Sequence, residues 1–302
     1  VPEGTTPESV PPIETPSKEF DPDTILRAIE PPAETASPIQ PLDTGNALPS
    51  APPQSKKASV AAGEFTYSVP RIDNDTSAVI DAAAMLQELP AITLSDDGPV
   101  ILILHTHGSE AYAGTDGYRT LDRTLDVVRV GDALGTELQN RGYNVIHDRE
   151  CYDYPAYNGS YNRSAEAAKA WIEKYPTIQI VFDIHRDSLE LPDGTPKATY
   201  CEAPDGGRSA QVMIIATNGD KGLSHPNWQE NMKFALRLQS AAEALHEGLM
   251  RPLVVSGQRY NEHLAPGYLL LEVGSTGNTI EEAVTGVRLF ADSLEVVLRD
   301  LA

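Results

Sequence analysis

The chain alternates between apolar runs and segments of helical periodicity from Gly98 onward. Residues 99–104 and 178–184 are continuous apolar runs, the pattern of strands that are buried on both faces. Between them, residues 126–140 carry apolar side chains three to four positions apart, and Gly142 follows as a helix-ending residue. This alternation predicts an α/β fold with a mixed, mostly parallel sheet and helices on both faces.

The remaining elements follow from the same patterns. Residues 198–202 and 211–217 are predicted to form an antiparallel pair around the turn at residues 205–207. The last helix is expected to be capped by Asn278 or Thr279, with Glu281 and Glu282 favourable in its first turn. Further strands are predicted at residues 143–146, 253–256 and 268–273, and further helices at residues 164–174, 229–247 and 278–301.

The first part of the chain has a different composition. Thirteen of the 24 prolines lie in residues 1–60, so we predict a disordered, proline-rich spacer there, with residues 23–30 able to form one or two helical turns. Residues 61–97 are predicted to be a lead-in with a short amphipathic helix at residues 78–89, and residues 98–302 to be the folded domain. Because the chain begins at Val1, we expect it to be a trimmed piece of a longer protein.

Charge and composition limit the classes of partner. The formal charge of −21, from 44 acidic and 23 basic residues, argues against binding to nucleic acid or to an anionic membrane surface. No apolar run is long enough to span a membrane. Cys151 and Cys201 lack metal-binding spacing, so they are expected either to pair outside the cytoplasm or to remain buried thiols.

Three segments far apart in the chain place histidines and carboxylates beside apolar runs. Their sequences are Leu-His-Thr-His-Gly-Ser-Glu at residues 104–110, Phe-Asp-Ile-His-Arg-Asp at residues 182–187 and Leu-Glu-Val-Gly at residues 271–274. In open α/β sheets, ligands bind at the carboxyl ends of strands. These segments are all expected to lie at such ends, and they therefore predict one common site.

These residue types match a catalytic zinc site, which has three nitrogen or oxygen ligands and an open position for water. We predict that His107, Glu110 and His185 are the ligands. His105 is the alternative to His107, or a residue that orients the site. Glu272 is predicted to be the general base and later the acid that protonates the leaving amine.

Neighbouring polar residues have predicted supporting roles. Arg186 is expected to stabilise an oxyanion or to hold a substrate carboxylate, and Asp183 and Asp187 are candidates to accept the other ring N–H of a ligating histidine. The alternative for His185 is a structural cluster of ion pairs. Glu272 interrupts a buried apolar run, where an unpaired charge is costly, and this favours a functional role for it.

Two tyrosine-containing segments are candidates to line a cleft. Residues 152–161 contain four tyrosines and are interpreted first as a structured loop, with a groove wall that stacks on sugar or peptide as the alternative. Residues 260–263, Tyr-Asn-Glu-His, lie between two predicted strands and could line the same cleft.

Several separated motifs together resemble one known family, that of stage II sporulation protein P. They are HTHGSEAY, DYPAYNGSYNRS, VFDIHRDS, YNEHLAPG and LLLEVGSTGNTIEEA, in that order from residue 105 to residue 283. The resemblance covers the chain from about Gly98 onward. It implies the phosphorylase/hydrolase-like fold of zinc amidases for residues 98–302, with metal ligands at His107, Glu110 and His185 and the catalytic role at Glu272.

The same resemblance implies a function. It implies a zinc-dependent N-acetylmuramoyl-L-alanine amidase with endopeptidase activity, which acts on peptidoglycan during forespore engulfment. It also implies an extracytoplasmic, membrane-anchored protein that works with a lytic transglycosylase. The residues alone leave two alternatives open, a zinc carboxypeptidase that uses Arg186 or Arg259 to hold the substrate carboxylate, and a non-catalytic wall-binding module.

Overall fold

The computed structural model describes residues 65–302, and these form a seven-stranded sheet flanked by helices and a separate two-stranded hairpin. The strands are β1 Ile72–Asn74, β2 Ile101–Leu104, β3 Val145–His147, β4 Ile180–Asp187, β5 Tyr200–Glu202, β6 Arg208–Ala210, β7 Val212–Thr217, β8 Leu253–Ser256 and β9 Gly267–Ser275. The helices are α1 Ala82–Leu86, α2 Val127–Asn140, α3 Ser160–Lys174, α4 Trp228–Leu245 and α5 Ile280–Asp300, with a 3₁₀ turn at Glu262–Leu264.

The strands of the large sheet lie in the order β1-β8-β7-β9-β4-β2-β3. Every neighbouring pair is parallel except β7 and β9, which are antiparallel. The sheet therefore consists of two parallel blocks that run in opposite directions and meet at β7 and β9. The predicted fold class, a mixed and mostly parallel sheet, is confirmed.

The two faces of the sheet carry different helices. Ile103, Phe182 and Leu271 point to one face, where they pack with apolar residues of α2, α4 and α5. Leu102 and Val181 point to the opposite face, where they pack against α3. Because side chains alternate along a strand, Asp183 and His185 of β4 and Glu272 of β9 also belong to this second face, called here the α3 face.

The helix boundaries follow local capping chemistry. The Asp126 side chain accepts hydrogen bonds from the first backbone N–H groups of α2. Thr279 and Glu282 form a capping box at the start of α5. Of the two predicted caps, Asn278 and Thr279, it is therefore Thr279 that caps this helix. Helix α3 begins at Ser160, earlier than predicted, after Gly159 in the left-handed region.

The predicted pairing of residues 198–202 with residues 211–217 is wrong. The turn at residues 205–207 does join a hairpin, but the strands that it joins are β5 and β6. Strand β7 instead lies inside the large sheet, between β8 and β9. Its side chains are almost all buried, and a strand that is apolar on both faces is stabilised more by the centre of a covered sheet than by an exposed hairpin.

The described part of the lead-in packs against the rest of the fold. Strand β1 pairs with β8 at the edge of the sheet, and Leu86 and Ile92 join the main apolar core. Helix α1 is shorter than the predicted helix at residues 78–89. The predicted boundary at residue 98 stays a prediction, and the predicted spacer at residues 1–60, with its helical turns at residues 23–30, lies outside the described residues.

Cys151 and Cys201 do not form a disulfide, and both are free thiols. Cys151 is buried and Cys201 is partly buried. Among residues 65–302, no helix is long and apolar enough to cross a membrane.

Candidate metal centre

Three side chains of metal-ligand type converge on the α3 face. The ligand atoms of His107, Glu110 and His185 all lie within 4.8 Å of one another. Nδ1 of His107 is 3.3 Å from Glu110 Oε1, and Nδ1 of His185 is 3.5 Å from Glu110 Oε2. Two imidazole nitrogens thus face one carboxylate, and this donor set suits Zn²⁺.

A tight turn after β2 brings His107 and Glu110 together. The Glu110 N–H donates to the His107 carbonyl at 3.0 Å. A Cβ atom on Gly108 would lie 3.1 Å from the Glu150 carbonyl oxygen and 3.2 Å from Cys151 Cα, so the turn needs glycine for its close approach to the next loop. Arg186 N–H donates to Glu110 Oε2 at 3.0 Å and ties the turn to β4.

Asp153 holds the same turn from the tyrosine-containing loop. Its buried carboxylate accepts hydrogen bonds from Ser109 N–H at 3.1 Å and from Ser109 Oγ at 2.6 Å. Arg119 pairs with it at 2.6 Å. Sequence reasoning missed Asp153, although an acidic residue among aromatic residues in a loop beside the site was a signal for it.

The charges in the cluster favour an ionised carboxylate. Burial opposes the charged form of Glu110, but His185 and His107 outweigh it and hold the pKa of Glu110 well below its usual value. Burial likewise opposes a charged His185, but Asp183 and Glu110 raise the pKa of that ring well above its usual value. In the absence of metal, the surrounding carboxylates thus favour a proton on His185. A bound cation would replace that proton.

Asp183 lies behind His185. Its Oδ1 is 3.0 Å from His185 Nε2, although the ring N–H is not aligned for a straight hydrogen bond. Thr106 fixes the carboxylate by donating to it from its N–H at 2.8 Å and from its hydroxyl at 2.6 Å. Asp187 instead pairs with Arg251 at 2.6 Å, so the structure places only one of the two candidate aspartates behind the ring.

His105 faces away from this cluster. Its Nδ1–H donates to the Ile184 carbonyl at 3.0 Å, and its Nε2 lies 2.8 Å from Nε2 of His147. Burial, followed by the charge of His147, lowers the pKa of His105 to about 3, so the ring is neutral. The structure therefore brings His107, and not His105, to Glu110 and His185.

Glu272 lies within β9, in register with His185 on β4. It is not at the end of its strand as expected, because β9 continues to Ser275. Burial, followed by the charge of Asp187, raises the pKa of Glu272 to about 8. Its buried Oε2 has no hydrogen-bond partner among the described residues, so one carboxylate oxygen remains to accept a bond from a water or a substrate.

The Arg186 guanidinium contacts the loop after the turn. Its Nε donates to the Ala111 carbonyl at 2.8 Å, and its Nη2 donates to the Tyr118 carbonyl at 2.6 Å. These bonds give Arg186 a role in positioning the segment that carries Glu110. The contact with substrate that the sequence suggested for Arg186 stays a prediction.

The chain is similar to proteins of a known family. Residues 30–295 match the model of the stage II sporulation protein P (SpoIIP) family, which is most of the chain. The chain belongs to the SpoIIP family. The stage II sporulation protein P of Bacillus subtilis (strain 168) is 28% identical over 222 residues, which are 68% of this chain and 53% of that relative. The chain thus matches about half the length of this relative.

Solved structures also show some similarity. An N-acetylmuramoyl-L-alanine amidase from Clostridium difficile 630 aligns with a TM-score of 0.42 and 10% identity, over 68% of this chain and 100% of that one. AmiC2 of Nostoc punctiforme aligns at 0.40 and 9%, over 67% and 98%. A metallo-carboxypeptidase from Burkholderia cenocepacia aligns at 0.41 and 10%, over 69% and 59%.

Proposed function

We propose that this chain is a zinc-dependent peptidoglycan hydrolase that cleaves the amide between N-acetylmuramic acid and L-alanine. The observation that carries the proposal is the convergence of His107, Glu110 and His185 beside Glu272. Two imidazoles and one carboxylate can hold zinc and leave a position open, and the further carboxylate is the general base that such hydrolases need. Membership of the SpoIIP family supports peptidoglycan as the substrate.

The residues of the site divide the chemistry between them. When bound by the two histidines and Glu110, zinc would acidify a water and polarise the scissile carbonyl. Glu272 takes the proton of the attacking water as the hydroxyl adds to the carbonyl carbon. It then gives this proton to the nitrogen of L-alanine as the carbon–nitrogen bond breaks, which regenerates the carboxylate.

Residues behind the candidate ligands help to keep the ligands in place. The Asp183 carboxylate lies 3.0 Å behind the ring of His185, and the His105 ring donates to the carbonyl of Ile184, the residue before His185. Such outer contacts fix the orientation of a ligand and raise its basicity. In the metal-free site the pKa of Glu272 is raised to about 8, and a cation close by favours its carboxylate form at neutral pH.

The cellular role is proposed from the family. We infer that the same site also cleaves stem-peptide cross-links, and that the protein acts outside the cytoplasm during forespore engulfment. We further infer a membrane anchor in the full-length protein and a lytic transglycosylase as partner. Family membership supports these inferences.

The geometry gives less support to a zinc carboxypeptidase. That reaction needs an arginine to hold the free carboxylate of the substrate. The Arg186 guanidinium is bonded to two loop carbonyls, and Arg259 contacts the Ser224 carbonyl at 3.4 Å. Arg251 is paired with Asp187.

The proposal is tested by metal content together with release of stem peptides from intact peptidoglycan. The wild-type chain should hold one zinc and release peptides, and a chelator should stop the release. Glu272→Gln should keep zinc and lose turnover, whereas His185→Ala should lose both. Glu166→Gln is the matched control, because Glu166 is exposed on α3. A zinc-loaded wild type that cuts only free peptides would reject the amidase in favour of a carboxypeptidase.

A further inference from the structure

Three tyrosines from two separate segments meet beside the candidate metal centre. Tyr157 lies in the loop before α3, Tyr161 in the first turn of α3 and Tyr260 in the loop between β8 and β9. The rings of Tyr161 and Tyr260 are stacked, with centroids 5.4 Å apart. We call Tyr157, Tyr161 and Tyr260 the tyrosine wall.

The wall directly contacts the candidate ligands. The Tyr157 ring stacks on His107 with centroids 4.5 Å apart. Tyr161 lies edge-on to His107 at 5.4 Å and parallel to the His185 ring at 6.5 Å. All three tyrosines are only partly buried, so a substrate held at the metal centre would lie against them.

The backbone at Tyr260 is strained, which makes its position informative. Tyr260 and Asn261 have φ angles of 38° and 64°, in the left-handed region that asparagine tolerates but that a bulky residue such as tyrosine rarely adopts. The Asn261 side chain holds the loop against α3 by donating to the Tyr161 carbonyl at 2.8 Å and to Ser164 Oγ at 3.1 Å. Such strain persists where the surroundings over-determine it, and it occurs most often at functional sites.

The two flanks of the centre differ in aromatic character. On the side of Glu272 lie Asp187 and Arg251, which form an ion pair. On the side of His107 the wall presents phenol rings, and the Arg119 guanidinium, which is paired with Asp153, lies 5.0 Å from the centroid of the Tyr157 ring. A ring with apolar faces and a polar rim suits the flank that carries the aromatic rings.

We propose that the tyrosine wall is a sugar subsite, on which a pyranose ring of the glycan stacks while the stem peptide extends past Glu272. The proposal rests on the proposed function and adds the direction in which the substrate lies. In that substrate only the lactyl group separates the muramic acid ring from the scissile amide. The sugar must therefore lie close to the metal ligands, and the tyrosine wall lies next to them.

The test compares two substrates that share one scissile amide. One is an N-acetylmuramoyl peptide, and the other is the same peptide acylated by a methoxypropanoyl group, which keeps the amide but lacks the sugar. Tyr260→Ala should lose about 3- to 10-fold in kcat/KM on the first substrate, mainly through KM, and retain its activity on the second. Tyr260→Phe keeps the stacking ring and should match the wild type on both. Tyr154→Ala, at an exposed tyrosine of the same loop, is the control.

Binding gives a readout that needs no turnover. The peptide-free disaccharide of N-acetylglucosamine and N-acetylmuramic acid is titrated into the metal-free chain and followed by NMR. Binding that Tyr260→Ala weakens and Tyr260→Phe preserves supports the subsite, even if the wild type cleaves neither substrate and the proposed function fails. Cleavage of both substrates with equal losses for Tyr260→Ala, or an absence of disaccharide binding, would overturn the sugar subsite and leave the hydrolase standing.

Discussion

Helix α2 carries two glycines whose replacement by alanine should have opposite effects. A Cβ atom on Gly131 would lie 2.6 Å from Nε2 of His105 and 2.6 Å from Nε2 of His147. These two atoms are the ones that form the 2.8 Å contact between the rings. On Gly135 the nearest atom would be Ile103 Cδ1, at an ordinary contact distance of 3.7 Å.

The expected magnitudes follow from this difference. Alanine in place of glycine inside a helix adds about 1 kcal/mol of stability, and Gly135→Ala should show this gain. In Gly131→Ala this gain is outweighed by two costs. Overpacking against the two rings costs about 1–3 kcal/mol, and breaking the buried hydrogen bond between them costs about 1–3 kcal/mol more. We therefore expect Gly131→Ala to be less stable than the wild type by about 1–5 kcal/mol.

Urea unfolding of both variants and the wild type, each with chelator, measures the effect. Because His105 also holds the carbonyl next to His185, Gly131→Ala should bind zinc more weakly, whereas Gly135→Ala should bind it as the wild type does. A Gly131→Ala variant as stable as Gly135→Ala would refute the close packing of the two rings against α2.

Three further predictions concern the site and the fold. Asp183→Asn should weaken zinc binding about 10- to 100-fold, measured by competition with a chelating dye, because Asp183 supports His185; unchanged affinity would remove that role. Chelation should lower the melting temperature and zinc should restore it, since a metal at 1,000 times its Kd adds about 4 kcal/mol; equal melting curves would contradict a folded-state metal site. Burial lowers the pKa of His225 and of His263 to about 4, whereas the unfolded rings titrate near about 6.5. Between these values the unfolded chain binds more protons, so acidification should lower the free energy of unfolding. Urea midpoints at about pH 7.5 and about pH 5 measure this, and His225→Gln should reduce the difference; an unchanged difference would contradict the assignment.

Local patterns in the sequence determined most of the elements and the composition of the site. Continuous apolar runs predicted β2 and β4, and apolar spacing and capping residues predicted α2 and α5, because these features depend on neighbours along the chain. The segments that carry His107, His185 and Glu272 were found in the same way. A carboxylate within an apolar run is visible without a structure.

The tertiary structure decided how these segments meet. Sequence alone does not distinguish His105 from His107 as a ligand. The direction of the His105 side chain is set by the Ile184 carbonyl and the His147 ring, which are distant along the chain. The place of β7 likewise depended on competition between pairing partners, which local pattern cannot resolve. The sequence thus determined which groups are available, whereas long-range packing decided which of them share a site, because the direction of a side chain is set by contacts between segments that only folding brings together.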